Sequence, residues 1–204
     1  MVAFSPRRLA LAAALAAIAI PTTATAQLKG SPGYEFLQAV RDAKGDDVIR
    51  ILNKPGTRII DTRDPSTGEG ALHIVAKRGD MKYLAYLLQQ GADPNLRDNG
   101  GNTALIYAAR GGYDELVSTL LKVKANPNAV NSDGDMPLML AVLRRDVAMA
   151  RDLLDGGADP DKADRAGRTV RDVVTENAAR DRAMAQLFID HPKKEHKAVS
   201  GPEL

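Results

Sequence analysis

The sequence predicts an all-α fold, a solenoid of about five helix-turn-helix repeats joined by short β-hairpin-like loops. The first observation is a period of 33 residues that separates the segments Asp93-Pro94-Asn95, Asn126-Pro127-Asn128 and Asp159-Pro160-Asp161. The same interval separates four glycines, Gly68, Gly101, Gly134 and Gly167. Self-similarity at a fixed period of roughly 20–50 residues is typical of stacked repeat arrays. Aromatic residues make up 4% of the chain, which suits many thin layers of Leu, Ala and Val better than one thick core.

The start of the chain has the layout of a secretory signal sequence. Arg7 and Arg8 are followed by an unbroken apolar run of 12 residues, 9–20, and by the small-x-small cleavage site Ala24-Thr25-Ala26. A membrane anchor is the weaker alternative, because a helix needs about 20 apolar residues to span a bilayer. We therefore expect cleavage after Ala26, a periplasmic or secreted protein, and no stable membrane insertion after cleavage.

The basic excess of the chain lies in this leader. The full sequence has 28 Lys and Arg against 26 Asp and Glu, and residues 1–26 contain two arginines and no acidic residue. Without the leader the chain is formally neutral, whereas nucleic-acid binders carry a surplus of Lys and Arg. We expect no nucleic-acid partner. The sequence has no cysteine, which excludes disulfides and thiol chemistry.

The periodicity also sets the expected domain boundaries. Residues 27–33 form a linker with Gly, Ser and Pro, and residues 192–204 form a polar tail that we expect to be disordered. The repeat domain covers residues 34–191, with units at approximately 34–66, 67–98, 99–131, 132–164 and 165–191. The first unit is atypical, with helices expected at 34–45 and 46–53, because a terminal repeat meets water on one face. We expect Val48, Ile49 and Leu52 to form the packed face of its second helix.

These units resemble ankyrin repeats. The segment Gly101-Asn-Thr-Ala-Leu-Ile-Tyr-Ala-Ala-Arg-Gly-Gly112 follows the family pattern Gly-x-Thr-Pro-Leu-His-x-Ala-Ala-x-x-Gly except at Ala104 and Ile106, and residues 91–95 follow its Gly-Ala-Asp-x-Asn. No single unit has the full Thr-Pro-Leu-His. Several positions also have a physical reason of their own. Thr103 and Thr169 can cap a first helix, Pro137 fits a first helical position, and Gly79 and Gly112 permit a left-handed turn.

The sequence departs from the family pattern at three informative positions. Arg145 replaces a turn glycine and Lys124 replaces a helix-ending glycine, while Arg171 stands where leucine is expected, which suits a cap that faces solvent. The resemblance implies that His73 is structural and bonds neighbouring repeats. His191 and His196 have no second His or Cys at ligand spacing, so we expect them to be solvated.

The sequence predicts no catalytic residue, no metal site and no cofactor. The acidic segment 159–164 fails as an EF-hand loop, because Ala163 stands at its fifth position and Asp164 where glycine is needed. Gly100-Gly101 lacks the Lys-Ser/Thr and the strand-to-helix context of a phosphate loop. An enzyme or small-ligand protein is therefore the weakest of three functional hypotheses.

The ankyrin resemblance implies that a protein partner binds to the hairpin tips and to the exposed side of the first helices, together a concave face. The positions expected to bind the partner are Lys77, Arg78, Asn99, Asn102, Arg110, Asp133, Asp135, Leu143, Arg144, Arg165 and Arg168.

Four of these cations, the basic row of Lys77, Arg78, Arg110 and Arg144, are open to two interpretations. They either form a solvated face or recognise an acidic patch on the partner, since Arg suits carboxylates. We expect a non-catalytic, exported scaffold or adaptor. The alternative is an inhibitor or immunity protein for a single exported enzyme or toxin.

Overall fold

The computed structural model describes residues 30–54, 59–164 and 167–192. The predicted signal sequence, the tail from residue 193 and Arg165 lie outside these ranges. The described residues contain ten helices: α1 Pro32–Arg41, α2 Gly45–Leu52, α3 Ala71–Arg78, α4 Met81–Gln89, α5 Ala104–Gly111, α6 Asp114–Lys122, α7 Pro137–Leu143, α8 Val147–Asp155, α9 Val170–Glu176 and α10 Arg182–Asp190. None of them is long and apolar enough to cross a membrane. The prediction of an all-α repeat solenoid is confirmed.

The helices pack as consecutive pairs, and the first helices of neighbouring pairs stack on one another. Within the pairs α1 contacts α2, α3 contacts α4, and so on to α9 and α10. Between pairs α1, α3, α5, α7 and α9 form one row of contacts, and α4, α6, α8 and α10 form another. Leu72, Leu105 and Leu138 are buried between these layers, where each contributes about 1.5–3 kcal/mol of transfer free energy.

Side-chain oxygens begin several helices. Thr103 accepts a hydrogen bond from the Ile106 N–H at 3.3 Å, and Thr169 accepts one from Asp172 at 3.1 Å, so both predicted caps are confirmed. Ser31 accepts from the Tyr34 N–H at 3.2 Å, and Pro32 occupies the first helical turn. Because this cap and the fixed φ of proline favour a helix start, α1 begins at Pro32, inside the segment expected to be linker.

The turns between helices use left-handed backbone with and without glycine. Gly79 and Gly112 have φ of 72° and 74°, as the predicted turn requires. Ala43, Lys124 and Arg145 adopt the same conformation with φ of 55°, 64° and 57°. A side chain in this conformation costs roughly 1–2 kcal/mol, so the stack holds these three turns against local strain.

Asparagine side chains at the end of the first two Asp/Asn-Pro-Asp/Asn loops tie one repeat to the next. The amide of Asn95 donates to the Lys124 carbonyl at 3.3 Å, and its oxygen accepts from the Asn126 N–H at 2.7 Å. Asn128 repeats the arrangement, with bonds to the Gly157 carbonyl at 2.9 Å and the Asp159 N–H at 2.7 Å. The repeated loop motif is therefore an inter-repeat staple.

Two expectations about the terminal repeats were wrong. Arg171 does not face solvent: its guanidinium is ion-paired with Asp161 at 2.8 Å and donates to the Phe188 and His191 carbonyls at 3.0 Å each. It thereby binds the end of α10, whose last carbonyls lack partners within the helix. In α2, Val48 is buried and Leu52 packs against the core as expected, but Ile51 is buried in place of Ile49, which is exposed, because residues three apart share a helix face.

Candidate partner-binding surface

Short backbone ladders build the ends of the hairpin-like loops, here called the tip loops (residues 64–69, 98–102 and 131–135). Within the second, the Asp98 N–H donates to the Asn102 carbonyl at 3.0 Å. Neighbouring tip loops are also joined, because the Asn99 N–H donates to the Thr67 carbonyl at 3.0 Å and the Ser132 N–H to the Gly100 carbonyl at 2.7 Å. The tips are therefore one continuous edge rather than separate fingers.

Asn102 is buried and is not available to a partner, contrary to its assignment as a tip residue. Its amide donates to both oxygens of Asp98 at 3.1 Å, and its own oxygen accepts from the Asn131 amide at 2.8 Å. The Tyr107 hydroxyl donates to Asp98 at 2.6 Å. Burial favours protonation of Asp98, but the bonds from Tyr107 and Asn102 outweigh it and lower the pKa of this carboxyl. Asn102 thus belongs to the polar core beneath the tips.

His73 is structural, as the resemblance implies. It is fully buried, and its Nδ1 accepts a hydrogen bond from the Gly70 N–H at 2.9 Å. Its Nε2 lies 3.0 Å from the carbonyl oxygen of Leu96, at the end of its own unit, and 3.0 Å from that of Asn102 in the next repeat, so this nitrogen carries the proton. Burial lowers the pKa of His73, which keeps the ring neutral. Each ring nitrogen is occupied, and the side chain joins two repeats.

The basic row is matched by acidic and carbonyl oxygens. Lys77 pairs with Glu69 at 2.5 Å, and Arg110 pairs with Asp135 at 2.7 Å. Arg78 pairs with Asp80 at 3.0 Å. Arg144 donates to the Arg110 carbonyl at 3.4 Å. This face therefore presents cations beside anions and carries little positive excess.

Tyr107 lies between two members of the basic row and was not singled out from the sequence. The Lys77 ammonium is 5.2 Å and the Arg110 guanidinium 5.6 Å from its ring centroid. The sequence did contain a signal, because Tyr107 precedes Arg110 by three residues and lies on the same helix face. The ring lies within cation–π distance of both cations.

Leu143 is the apolar member of this surface. It stands in the register of Lys77 and Arg110, each 33 residues before the next, and 65% of its area is exposed. Of the predicted tip residues, Asn99, Asp133 and Arg168 are exposed, and Asp135 is half-buried beside Arg110. The face therefore combines paired charges with one exposed leucine.

The described residues contain no group of three or more His, Cys, Asp or Glu side chains placed to hold a metal ion. The remaining chemistry of the surface is that of hydrogen bonds, ion pairs and apolar contact. Such groups suit recognition of another protein.

Comparison with known proteins decides the family. A model described as ankyrin repeats in three copies matches residues 36–131 and again 72–164. The chain belongs to the ankyrin-repeat family. Together the two matches span residues 36–164, and they leave the last unit, 165–191, outside.

Curated relatives match this ankyrin-repeat chain over short stretches. The ankyrin repeat protein L271 of Acanthamoeba polyphaga mimivirus is 34% identical over 85 residues, which is 40% of this chain and 11% of that protein. The ARF GTPase-activating protein GIT2 of Homo sapiens is 38% identical over 52 residues, 26% of this chain and 7% of that protein. The probable E3 ubiquitin-protein ligase XBOS33 of Oryza sativa subsp. japonica is 44% identical over 46 residues, 22% and 9%. The chain thus spans about a tenth of each relative, and the likeness is one of ankyrin repeats.

Proposed function

We propose that this ankyrin-repeat protein is an exported, non-catalytic scaffold or adaptor that binds a partner protein through its tip loops and first helices. The family supports a protein–protein interaction module. The leader-like composition of residues 1–26 supports export, and N-terminal sequencing of the protein from producing cells tests it. A mature chain beginning at Gln27 is expected; one that retains Met1 contradicts export.

The observation that carries the binding proposal is the setting of Leu143. A leucine exposed over 65% of its area follows Lys77 and Arg110 in register, on a face where the neighbouring charges are already paired. Binding energy at protein interfaces concentrates in a few central anchors that are ringed by polar groups. Leu143 fits the position of such an anchor, and the paired groups fit the rim.

The basic row can still bind an acidic patch on the partner, although its cations are already paired within the chain. The Arg110–Asp135 pair is partly exposed, with 41% and 34% of the two side chains accessible. Exposed pairs contribute only about 0–1 kcal/mol, so a partner carboxylate can compete for the guanidinium. Desolvation of the contact on binding would strengthen the new pair.

Capture from periplasmic extract with immobilised residues 27–204 tests the surface. We expect Leu143→Glu to reduce capture of the partner at least tenfold. Ile189→Glu is the matched control, because Ile189 is also a large aliphatic side chain and is 69% exposed on the last helix, and it should retain capture. Equal loss in both variants, or in neither, would reject the assigned surface.

Neutral substitutions test the charge preference more cleanly than charge reversal. Reversing Arg78 or Arg110 would set an acid against Asp80 or Asp135 and would disturb the fold itself. Arg110→Gln removes the charge and keeps a donor. If the partner surface is acidic, this variant loses affinity at low salt and the loss shrinks as salt rises; a salt-independent effect would contradict an acidic partner. A single captured enzyme that is inactive in the complex would favour the inhibitor role over the adaptor role.

A further inference from the structure

The junctions between repeats share a gap at the turn between the two helices, and long side chains of the following repeat cover it. Arg78 reaches back to the first repeat and donates to the Val40 carbonyl at 3.0 Å and to the Arg41 carbonyl at 3.4 Å. Arg144, from the fourth repeat, donates to the Arg110 carbonyl and lies against Gly112. At the junction between them, the Tyr113 ring lies against Gly79. Each of these three junctions is thus covered by an arginine or a tyrosine.

The last junction lacks such a side chain. Asn177 stands in the register of Arg78 and Arg144, but it is shorter and its amide donates to the Val173 carbonyl of its own helix at 2.8 Å. A cavity of about 170 Å³ remains beside it. One long side chain could fill this space.

The cavity shares an acidic helix cap and the carboxyl end of a first helix with the site of Arg78, and Met184 takes the place of the Tyr83 ring that lies against Arg78. Val142, Leu143, Val173, Val174 and Met184 provide apolar walls, which suit the methylene stem of a long cation. Asp181 also lines it and caps the second helix of its repeat, as Asp80, the ion-pair partner of Arg78, does in the second repeat. The carboxyl end of α7 adds negative potential, since the last carbonyls of a helix carry partial negative charge.

We propose that this pocket, the last-junction pocket, binds an arginine side chain supplied by the partner protein. The guanidinium would pair with Asp181 and with carbonyl oxygens at the end of α7, as Arg78 pairs with Asp80 and with the end of α1. This inference rests on the proposed function, because it names one group of the partner. Leu143 lines the pocket and is exposed, so the arginine would enter beside the anchor leucine.

Arg145 also lines the pocket, and its positive charge disfavours binding of an arginine there. In the first repeat, Ala43 occupies the left-handed turn position that Arg145 occupies in the fourth. Because Arg78 binds the end of α1 next to Ala43, a residue with a Cβ at this position leaves room for a guanidinium. Gly79 and Gly112 are different, because a Cβ there would collide with Tyr113 and Arg144 respectively. The Arg78 arrangement is therefore the one that the last junction can accept, and Arg145→Gly should strengthen it.

Titration of the purified protein, residues 27–204, with N-acetyl-arginine methylamide tests the pocket directly. We expect saturable methyl NMR shifts at Val173, Val174 and Met184, with a dissociation constant on the order of millimolar. The citrulline analogue, which has the same shape without the charge, should bind at least fivefold more weakly. Equal binding of citrulline, preferential binding of the tyrosine analogue, or no shift with any probe would overturn the proposal.

Two aspartate variants distinguish binding of the probe in the pocket from non-specific attraction of a cation to the protein. Asp181→Asn should weaken the arginine probe at least fivefold, while the control Asp190→Asn, on the same helix and exposed, should leave binding unchanged. Because Asp181 also caps α10, the melting temperature of each variant is measured, and Arg145→Gly provides a second test by raising the affinity. Equal effects of the two Asp variants, or weaker binding to Arg145→Gly, would contradict the assignment.

Asn177→Arg supplies the missing side chain from within the chain. We expect it to abolish probe binding, raise the melting temperature and reduce partner affinity at least tenfold, whereas Asn177→Gln should do none of these. If Asn177→Arg blocks the probe but keeps the partner, the partner's arginine is rejected and the proposed function stands. If the wild type binds the probe but captures no partner, the proposed function fails instead.

Discussion

Replacement of His73 by leucine tests whether the buried imidazole holds two repeats together. Leucine fits an apolar layer and has similar bulk, but it cannot accept from the Gly70 N–H or donate to the carbonyl oxygens of Leu96 and Asn102. A buried group left without its partner costs about 1–3 kcal/mol. With one donor and two acceptors affected, and the acceptors sharing a single N–H, we expect a loss of roughly 2–4 kcal/mol in the free energy of unfolding.

Urea unfolding at pH 7, followed by far-UV circular dichroism, measures this loss. With an m-value of about 1–3 kcal/mol/M, the midpoint should fall by about 1 M or more. Titration of His73 gives a second readout. Burial lowers the pKa of His73 in the folded state, so the unfolded chain binds a proton first as pH falls through about 6.5. The stabilisation by neutral His73 is therefore present above that pH and is lost below it.

His191 titrates with the opposite sign and serves as the control. Hydrogen bonds to the Leu187 carbonyl and to Asp155 raise the pKa of His191, so its contribution is present at low pH and is lost as pH rises through the folded pKa. In a His191→Asn background, the free energy of unfolding should still depend on pH between about pH 5.5 and 7.5 because of His73. Adding His73→Leu should remove this dependence. A His73→Leu variant within about 0.5 kcal/mol of wild type, with an unchanged slope, would refute the structural role.

Three further predictions concern the stack. Lys124→Gly should stabilise the protein by about 0.5–1 kcal/mol relative to Lys124→Ala, because glycine relieves the left-handed turn; equal urea midpoints for the two would count against strain there. Asn128→Ala should cost about 1–2 kcal/mol, because it removes the staple to the Asp159 loop, and hydrogen exchange of the Asp159 amide should accelerate; unchanged exchange would contradict the staple. Arg171→Met should accelerate exchange in α10 while α4 keeps its protection, and uniform acceleration along the array would show that Arg171 does not act locally.

The repeat architecture could be predicted from the sequence because each repeated residue has a local physical reason. Thr103 caps a first helix, and Gly79 adopts the left-handed conformation of the turn that follows one. Leucine is buried at the position of Leu105 in each repeat that has it. The inter-repeat bonds of His73 could be expected from the family pattern, since the ring needs partners when buried. The position of each residue within the 33-residue period was therefore enough to predict most of the fold.

The errors arose where one register position has different neighbours in different repeats. Asn102 was expected at a tip, but the side chains of Asp98 and Asn131 on either side draw it into a buried network. Arg171 was expected to face solvent, but at the end of the array it finds Asp161 and the exposed carboxyl end of α10. Asn131 lies 29 residues from Asn102, and Phe188 lies 17 residues from Arg171, so residue type and spacing alone could not reveal these contacts.

The last-junction pocket was also beyond the sequence. The substitution of asparagine for arginine at position 177 is visible in the register, but its consequence depends on where the side chain turns. Only the Asn177 bond to Val173 and the cavity lined by Leu143 and Asp181 show that the space stays open. The fold of a repeat array can be predicted from its sequence, but the role of a surface residue can be assigned only from the structure.

Site-specific photo-crosslinking in producing cells tests the central claim most directly. A photoreactive amino acid at Lys77, Arg110 or Leu143 probes the proposed surface, and the same group at Lys82 on α4 or Ile189 on α10 probes exposed positions on second helices. We predict one crosslinked species of the same mass from the first set and none from the second. Crosslinks from the second set alone, or no crosslink from any position, would contradict partner binding through the first helices.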